Sequence, residues 1–311
     1  MADASLIPAF VNPGAGNFEK ARDALTSSGH FDVREVEPAK LEQEIKRAVS
    51  AGAKRILIAG GDGSICAAAQ VVSGTEVELA VLPGGTLNHF AIDNGIPVDL
   101  AEAVRVATGT TTRTVDVGFA GNRVFLNTSS IGAYVTFVRL RDRLEKQFGY
   151  RLASLIATIR IFFSLRRVGV ELEVEGQVKH YRTPLVFIGV GERELEFPHL
   201  GDRVKNGRRG LHLFIVHGRR GGRLLIVAFE AVSRGVASVR GMPELDAFVL
   251  DRCTIDLQRP QALIAFDGET ERMATPLEYR IEHDTLRIVV PEPVEEAVEE
   301  AVEEAAAAQP A

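Results

Sequence analysis

Ile56-Leu57-Ile58-Ala59-Gly60-Gly61-Asp62-Gly63-Ser64 and, further along, Val81-Leu82-Pro83-Gly84-Gly85-Thr86-Leu87-Asn88-His89-Phe90-Ala91 are apolar runs that each end in a glycine turn. Each run has the length and composition of a parallel strand buried on both faces. Each turn leads into a stretch that can be helical. Strand, glycine turn and helix together present backbone N–H groups and a helix N-terminus to a phosphate. At Gly60, Gly61 and Gly63 no Cβ stands between backbone and ligand. Asp62 is a lone acid among these glycines, placed where a phosphate-bound Mg²⁺ would sit. Ser64 can cap the following helix or bind phosphate. The first turn has neither the spacing nor the lysine of a Walker A loop, and it is not a GxGxxG fingerprint.

Working outward, residues 6–11 read as a first strand, 18–28 as a helix, 31–36 as a strand and 38–51 as a helix. Residues 55–59 and 78–82 are the strands before the two glycine turns. This alternation predicts an α/β N-terminal domain with an open, mainly parallel sheet to about residue 115. Ligands of such sheets bind beyond the carboxyl ends of the strands, where both glycine turns lie. After Thr114 the rhythm changes. Residues 115–119, 123–128, 168–175, 178–190, 211–217, 248–250, 254–257 and 262–266 read as strands of a second, β-rich antiparallel sandwich domain. Helical stretches at about 134–165 and 221–232 interrupt it, and residues 285–290 read as a last strand.

The chain has 311 residues, 46% hydrophobic and 25% charged, ordinary for a globular protein of about two domains. Cys66 and Cys253 are its only cysteines. They form no disulfide framework or metal-ligand cluster, so a reducing, cytoplasmic compartment is expected. The net charge of −6 misleads, because residues 291–311 contain seven Glu and no cation. Without them 36 basic residues stand against 35 acidic ones. This Ala/Glu-rich tail reads as disordered. Nothing at the N-terminus reads as a signal peptide, and the longest apolar candidate, Leu152 to Leu165, contains Arg160 and is too short to span a bilayer. Arg139, Arg141, Arg143, Lys146 and Arg151 form one basic cluster; Arg203, Lys205, Arg208, Arg209, Arg219, Arg220 and Arg223 form another. Such patches can attract anionic lipid headgroups or simply be solvated. They lack the interleaved aromatics of a nucleic-acid surface.

The two glycine turns resemble those of the diacylglycerol kinase catalytic domain family, which includes bacterial lipid kinases and sphingosine kinases and is distantly related to NAD kinases. Three further segments fit in order. Val11-Asn12-Pro13-Gly14-Ala15-Gly16-Asn17 is similar to the family's opening nucleotide loop, Phe125-Leu126-Asn127-Thr128-Ser129-Ser130-Ile131-Gly132 to its central strand and turn, and Phe266-Asp267-Gly268-Glu269 to its late acidic motif. The resemblance spans roughly residues 5 to 290.

It implies a two-domain lipid-kinase-like architecture. Residues 1–115 would form a nucleotide-binding domain, completed by 275–290, and 116–274 a lipid-substrate domain. It implies an ATP-dependent lipid kinase that transfers the γ-phosphate to a lipid alcohol such as diacylglycerol, reached from a membrane surface. ATP and Mg²⁺ are the expected cofactors. Asn12, Gly14, Gly16, Gly60, Gly61, Gly63, Ser64, Gly85, Thr86 and Asn88 are the expected nucleotide-binding residues. Asp62, Asp267 and Glu269 are the expected catalytic residues, with Asp62 and Asp267 holding the metal and Glu269 as base. One residue apart, Asp267 and Glu269 would share a strand face, though Asp-Gly is also a hairpin-turn signal. Two other functions stay open: a kinase of a soluble alcohol or nucleotide, and a non-catalytic lipid- or nucleotide-binding module. Two departures from the family motivate the second. Cys66 and Ala67 stand where many relatives have Asn and Glu. The acids that hold a structural Mg²⁺ in some bacterial relatives are missing around Asn206–Leu213, where a salt bridge or an arginine-bound anion is expected instead.

Overall fold

A computed structural model of the chain describes residues 6–132, 135–136, 139–140, 143–144, 149, 167–174, 176–193, 203–204, 207–216 and 245–292. The few described residues from 135 to 149 are helical. The rest of the expected helix 134–165, the expected helix 221–232, the cations Arg141, Lys146, Arg151, Lys205, Arg219, Arg220 and Arg223, and the acidic tail beyond Glu292 lie outside the described residues.

Strands β1 (Ile7–Val11), β2 (Phe31–Glu35), β3 (Arg55–Gly60) and β4 (Glu78–Pro83) run parallel in the order β2-β1-β3-β4. Their side chains alternate between two separate cores. Phe10, Ile56, Ile58, Leu79 and Val81 enter one core; Ala9, Val11, Leu57, Ala59, Ala80 and Leu82 enter the other. Both faces are therefore buried, which is why these strands read as unbroken apolar runs. Helices α1 (Phe18–Ser28) and α5 (Leu100–Thr108) cover the second face with Leu25 and Ala103. Helices α2 (Pro38–Ser50), α3 (Asp62–Val72) and α4 (His89–Asp93) cover the first with Ile45, Ile65 and Phe90.

The rest of the chain divides its strands between this sheet and a second one. β5 (Thr112–Ala120) and β6 (Arg123–Phe125) extend the first sheet as an antiparallel pair. β7 (Thr128–Gly132) belongs to the second. The run expected as one strand over 123–128 is thus broken at Leu126-Asn127, where the chain crosses from sheet to sheet. The expected strand 178–190 is broken the same way at Pro184. β8 (Val168–Val174) and β9 (Gln177–Thr183) form an antiparallel hairpin on the first sheet, while β10 (Leu185–Val190) lies in the second.

β11 (Leu211–Val216) and β12 (Leu245–Leu250) continue the second sheet. β13 (Arg252–Asp256) returns to the first beside β8. β14 (Gln261–Phe266) and β15 (Glu269–Ala274) close the second sheet, whose order is β12-β11-β10-β7-β14-β15, antiparallel throughout. The helical stretch expected after the second glycine turn is α4, while β15 and α5 were not expected from the sequence. β15 is an edge strand whose residues are mostly exposed, so it lacks a repeating apolar face.

The last strand, β16 (Leu277–Val289), has 13 residues and begins well before the expected residue 285. It pairs with β5 along most of its length, with β13 near its start, and in parallel with β4 at Ile288–Leu79. One strand thus joins the parallel sheet to the antiparallel part. The fold is a parallel-rich α/β sheet with a separate antiparallel sheet packed on its extension.

That packing buries Ile131, Val186, Ile188, Leu213 and Ile264 of the second sheet against Val170, Leu172, Ile255 and Tyr279 of the first. Phe125 lies in the same core, and its ring covers Gly118 on the paired strand. A Cβ on Gly118 would sit 2.5 Å from the Phe125 Cζ. Gly118→Ala is therefore expected to cost about 2 kcal/mol by overpacking. The check is a lower urea midpoint at unchanged slope.

Candidate active site

Both glycine turns stand at the carboxyl ends of adjacent parallel strands, and they stack on each other. The Gly84 N–H donates to the Gly60 carbonyl at 2.9 Å. A Cβ on Gly85 would lie 2.7 Å from the Gly61 Cα, and one on Gly84 would lie 2.7 Å from the Asn17 Oδ1. At these positions glycine is required first by the contact of turn with turn.

Asp62 opens α3, and its carboxylate reaches across to the second turn. Oδ2 accepts from the His89 N–H at 3.1 Å and Oδ1 from the Phe90 N–H at 2.9 Å. Asp62 thus caps α4, whose own N-cap residue, Asn88, supplies no side-chain cap. Asn88 has φ +51, and its amide is engaged by Gly85: Oδ1 accepts from the Gly85 N–H at 2.8 Å and Nδ2 donates to the Gly85 carbonyl at 2.9 Å.

In front of the stacked turns lies an open cleft of about 510 Å³. Asn12, Gly14, Gly16, Gly61, Gly85, Thr86 and Asn88 line it, joined by Ala15, Asn17, Pro83, Gly84 and Val98. Asn12 shapes its own loop by accepting from the Gly14 N–H at 2.8 Å. Asn17, at the N-cap of α1, does not cap that helix; its Nδ2 donates to the Pro83 carbonyl at 3.1 Å. Its buried Oδ1 has no hydrogen-bond partner. The walls of the cleft are glycine backbone, the Thr86 hydroxyl and the amides of Asn12, Asn17 and Asn88, with Ala15, Pro83 and Val98 beside them and no acid or cation among the lining residues.

Three other expected binding residues lie behind this wall. A Cβ on Gly60 would meet the Ser64 side chain at 2.9 Å. Ser64 sits inside the first turn of α3, whose N-cap is Gly61, so it does not cap that helix. Gly63 is covered by the Glu269 carboxylate, which a Cβ there would strike.

Asp267 does not share a strand face with Glu269, contrary to expectation. Phe266 pairs directly with Glu269, so Asp267-Gly268 is a two-residue hairpin turn with φ +46 and +89. Its carboxylate turns inward to the point where the chain changes sheets. Oδ2 accepts from the Leu126 N–H at 2.7 Å; Oδ1 accepts from the N–H groups of Asn127 and Thr128 at 2.9 and 2.8 Å. Burial pushes the Asp267 carboxyl up from its usual range, the three amide bonds pull it back, and the nearby negative charge of Asp62 adds to the rise. Asp267 and Glu269 also bear on Cys66, whose buried thiol donates to the Val124 carbonyl at 3.2 Å and is held protonated chiefly by burial. Asp62, Asp267 and Glu269 therefore converge on the first turns of α3. Among the described residues no group of three or more His, Cys, Asp or Glu is set to hold a metal ion by itself.

Residues 8–120 match the family model of the diacylglycerol kinase catalytic domain. Over those residues the chain is similar to that family's catalytic domain. It is 33% identical over 174 residues to a "Probable lipid kinase YegS-like" of Pseudomonas putida, covering 54% of this chain and 57% of that one. It is 32% identical over 182 residues to a protein of the same name from Pseudomonas syringae pv. tomato, covering 56% and 58%. The matches thus span a little over half the length of these relatives. A crystal structure of a diacylglycerol kinase from Bacillus anthracis str. Sterne superposes with a TM-score of 0.66 at 18% identity, covering 92% of this chain and 97% of the other, and shows the shared fold.

One part of the site region was not legible beforehand: Arg193, 3% exposed, which joins Asp93 at the end of α4 to the sheet crossing. A single arginine after an apolar strand gives no sequence signal. A salt bridge does stand around Asn206–Leu213, as expected, though its acids come from distant strands. There Arg209 donates to both oxygens of the buried Asp116, and pairs with Asp284 at 2.9 Å. Arg203 and His283 face the same carboxylate at 3.9 and 3.3 Å. Burial pushes the Asp116 carboxyl up, but Arg209, the Asp284 N–H and His283 outweigh it and hold it below its ordinary 3.8. An acid whose folded pKa is depressed stabilises the fold above the unfolded value and loses that contribution as pH falls through the folded one. The stability difference between the wild type and Asp116→Asn is therefore expected to shrink as pH drops through and below 3.8. Urea unfolding at a series of pH values checks this; a difference that stays constant would contradict it.

Among the described residues, no helix is long and apolar enough to cross a membrane.

Proposed function

We propose that this protein transfers the γ-phosphate of ATP to a hydroxyl of a lipid alcohol, such as diacylglycerol, at a membrane surface. The observation that carries this reading is the convergence of Asp62, Asp267 and Glu269 behind a cleft walled by two stacked glycine turns. The family match and the lipid-kinase relatives support the same class of reaction.

The phosphates would lie against Asn12–Gly16, Gly61 and Gly85–Thr86, where Gly14, Gly16, Gly61 and Gly85 put no Cβ in the path and the Thr86 hydroxyl is a donor. Asp62 and Asp267 would hold Mg²⁺. Each carboxylate already accepts backbone hydrogen bonds on both oxygens, and Asp267 Oδ1 accepts two; both Asp62 oxygens and Asp267 Oδ2 each keep a further lone pair for the metal. Two such ligands suit a metal that takes most of its coordination from phosphate and water. Mg²⁺ would supply charge neutralisation as the phosphoryl group leaves ADP. Glu269, exposed on β15 and standing over Gly63, would accept the proton of the attacking hydroxyl. The glycine turns would align the γ-phosphate with that hydroxyl. The lipid would enter along the antiparallel part of the molecule.

The test is transfer of labelled γ-phosphate from ATP–Mg²⁺ into a panel of lipid alcohols in mixed micelles. Label is expected in an organic-extractable product. Asp62→Ala and Glu269→Ala are each expected to lower the rate by about 10²- to 10⁴-fold. Bound ATP with no labelled lipid would move the reading to a soluble acceptor or to a binding module.

A further inference from the structure

α4 has only five residues, too few to hold a helix by its own hydrogen bonds. It is pinned at both ends. Asp62 caps its start. At its end, Asp93 Oδ2 accepts from the Arg193 Nη1 at 2.8 Å, and the two side chains are 10% and 3% exposed.

The same guanidinium reaches two more acceptors. Its Nη2 donates to the Asn127 carbonyl at 3.1 Å and to the Val190 carbonyl at 2.9 Å. The Arg193 N–H donates to the His212 Nδ1 at 2.9 Å. Gly189 makes room for the stem, since a Cβ there would lie 2.5 Å from the Arg193 Cγ. Asn127, whose carbonyl Arg193 holds, also gives its N–H to Asp267. A continuous set of bonds therefore runs from Asp62 through α4, Asp93 and Arg193 to Asn127 and Asp267. A planar, forked cation can serve acceptors in several directions at once, which a lysine ammonium on a flexible stem does less well.

We infer that Arg193 is a positioning residue that makes α4 and the sheet crossing at Leu126–Thr128 one mechanical unit, so that phosphate seated on the second glycine turn is felt at Asp267. The part concerning phosphate rests on the function proposed above; the mechanical unit does not.

Amide hydrogen exchange on the full chain tests both parts, read on peptides covering residues 86–94 and 123–132. Without ligand, Asp93→Asn is expected to speed exchange at Leu126, Asn127 and Thr128 about tenfold, together with His89 and Phe90. Arg193→Met should do the same, and Arg193→Lys should restore part of the protection. A change confined to α4 in Asp93→Asn overturns the inference, and this arm remains readable if Arg193→Met fails to fold. With a non-hydrolysable ATP analogue and Mg²⁺, the wild type is expected to gain protection at 126–128, and Asp93→Asn is not. Measured nucleotide binding without that gain overturns the transmission. A wild type that binds no nucleotide removes the proposed function, while the ligand-free arm still decides the mechanical unit. Where turnover is measurable, Asp93→Asn should lower kcat about tenfold and leave the KM for ATP within about twofold. A rise in KM at constant kcat overturns the positioning role.

Discussion

Three backbone N–H groups, on Leu126, Asn127 and Thr128, point at the carboxylate of Asp267. They are available because the chain leaves one sheet at Phe125 and enters the other at Thr128, so no single ladder satisfies them. A buried N–H without a partner costs roughly 1–3 kcal/mol, so a break between sheets needs a local acceptor. Asp267 supplies it from a two-residue hairpin turn that directs the carboxylate inward. One residue thus stabilises the crossing, anchors the β14–β15 hairpin to it, and brings a negative charge beside Asp62. Much of the relation between the two sheets depends on that carboxylate.

The glycine turns show a comparable double use. Read as sequence, their glycines suit the close approach of a phosphate. In the fold they also permit one turn to lie directly on the other, with Gly61 and Gly85 in backbone contact. The two uses are compatible, because stacking leaves the outer faces of the turns open to the cleft. The cap that Asp62 gives to α4 fixes the second turn relative to the first. Both Asp62 and Asp267 therefore spend hydrogen bonds on holding backbone, and Asp62 stands close enough to raise the cost of ionising Asp267.

Where family resemblance suggested that a metal had been lost, Arg209 and Asp116 form an ion pair at the same place, with Arg203, His283 and Asp284 around it. A buried carboxylate there is matched by guanidinium groups of the chain itself. Arg193 and Asp93 make a pair buried on both sides, at the end of α4. A pair of that kind adds little net stability over well-packed apolar side chains, but removing one partner alone costs about 3–5 kcal/mol. Both pairs fix how segments distant in sequence are placed.

The sequence by itself determined the parallel sheet, the positions of both glycine turns and the change to antiparallel strands after Thr114. Those features rest on local rules: period-two burial on both faces for β3 and β4, and glycine wherever backbones must approach closely. It also marked Asp62, Asp267 and Glu269 as acids worth attention. Only the tertiary structure decided where the chain changes sheets, because Leu126-Asn127 and Thr183-Pro184 lie inside runs whose residues suit either sheet. It alone set Asp267 in a turn, since Asp-Gly fits a hairpin and the alternative of a shared strand face equally well until the partner of Phe266 is known. It alone joined Arg193 to Asp93, residues a hundred positions apart in the chain. Periodicity reports which face of an element is buried; which distant group meets a buried charge is settled only when the elements pack.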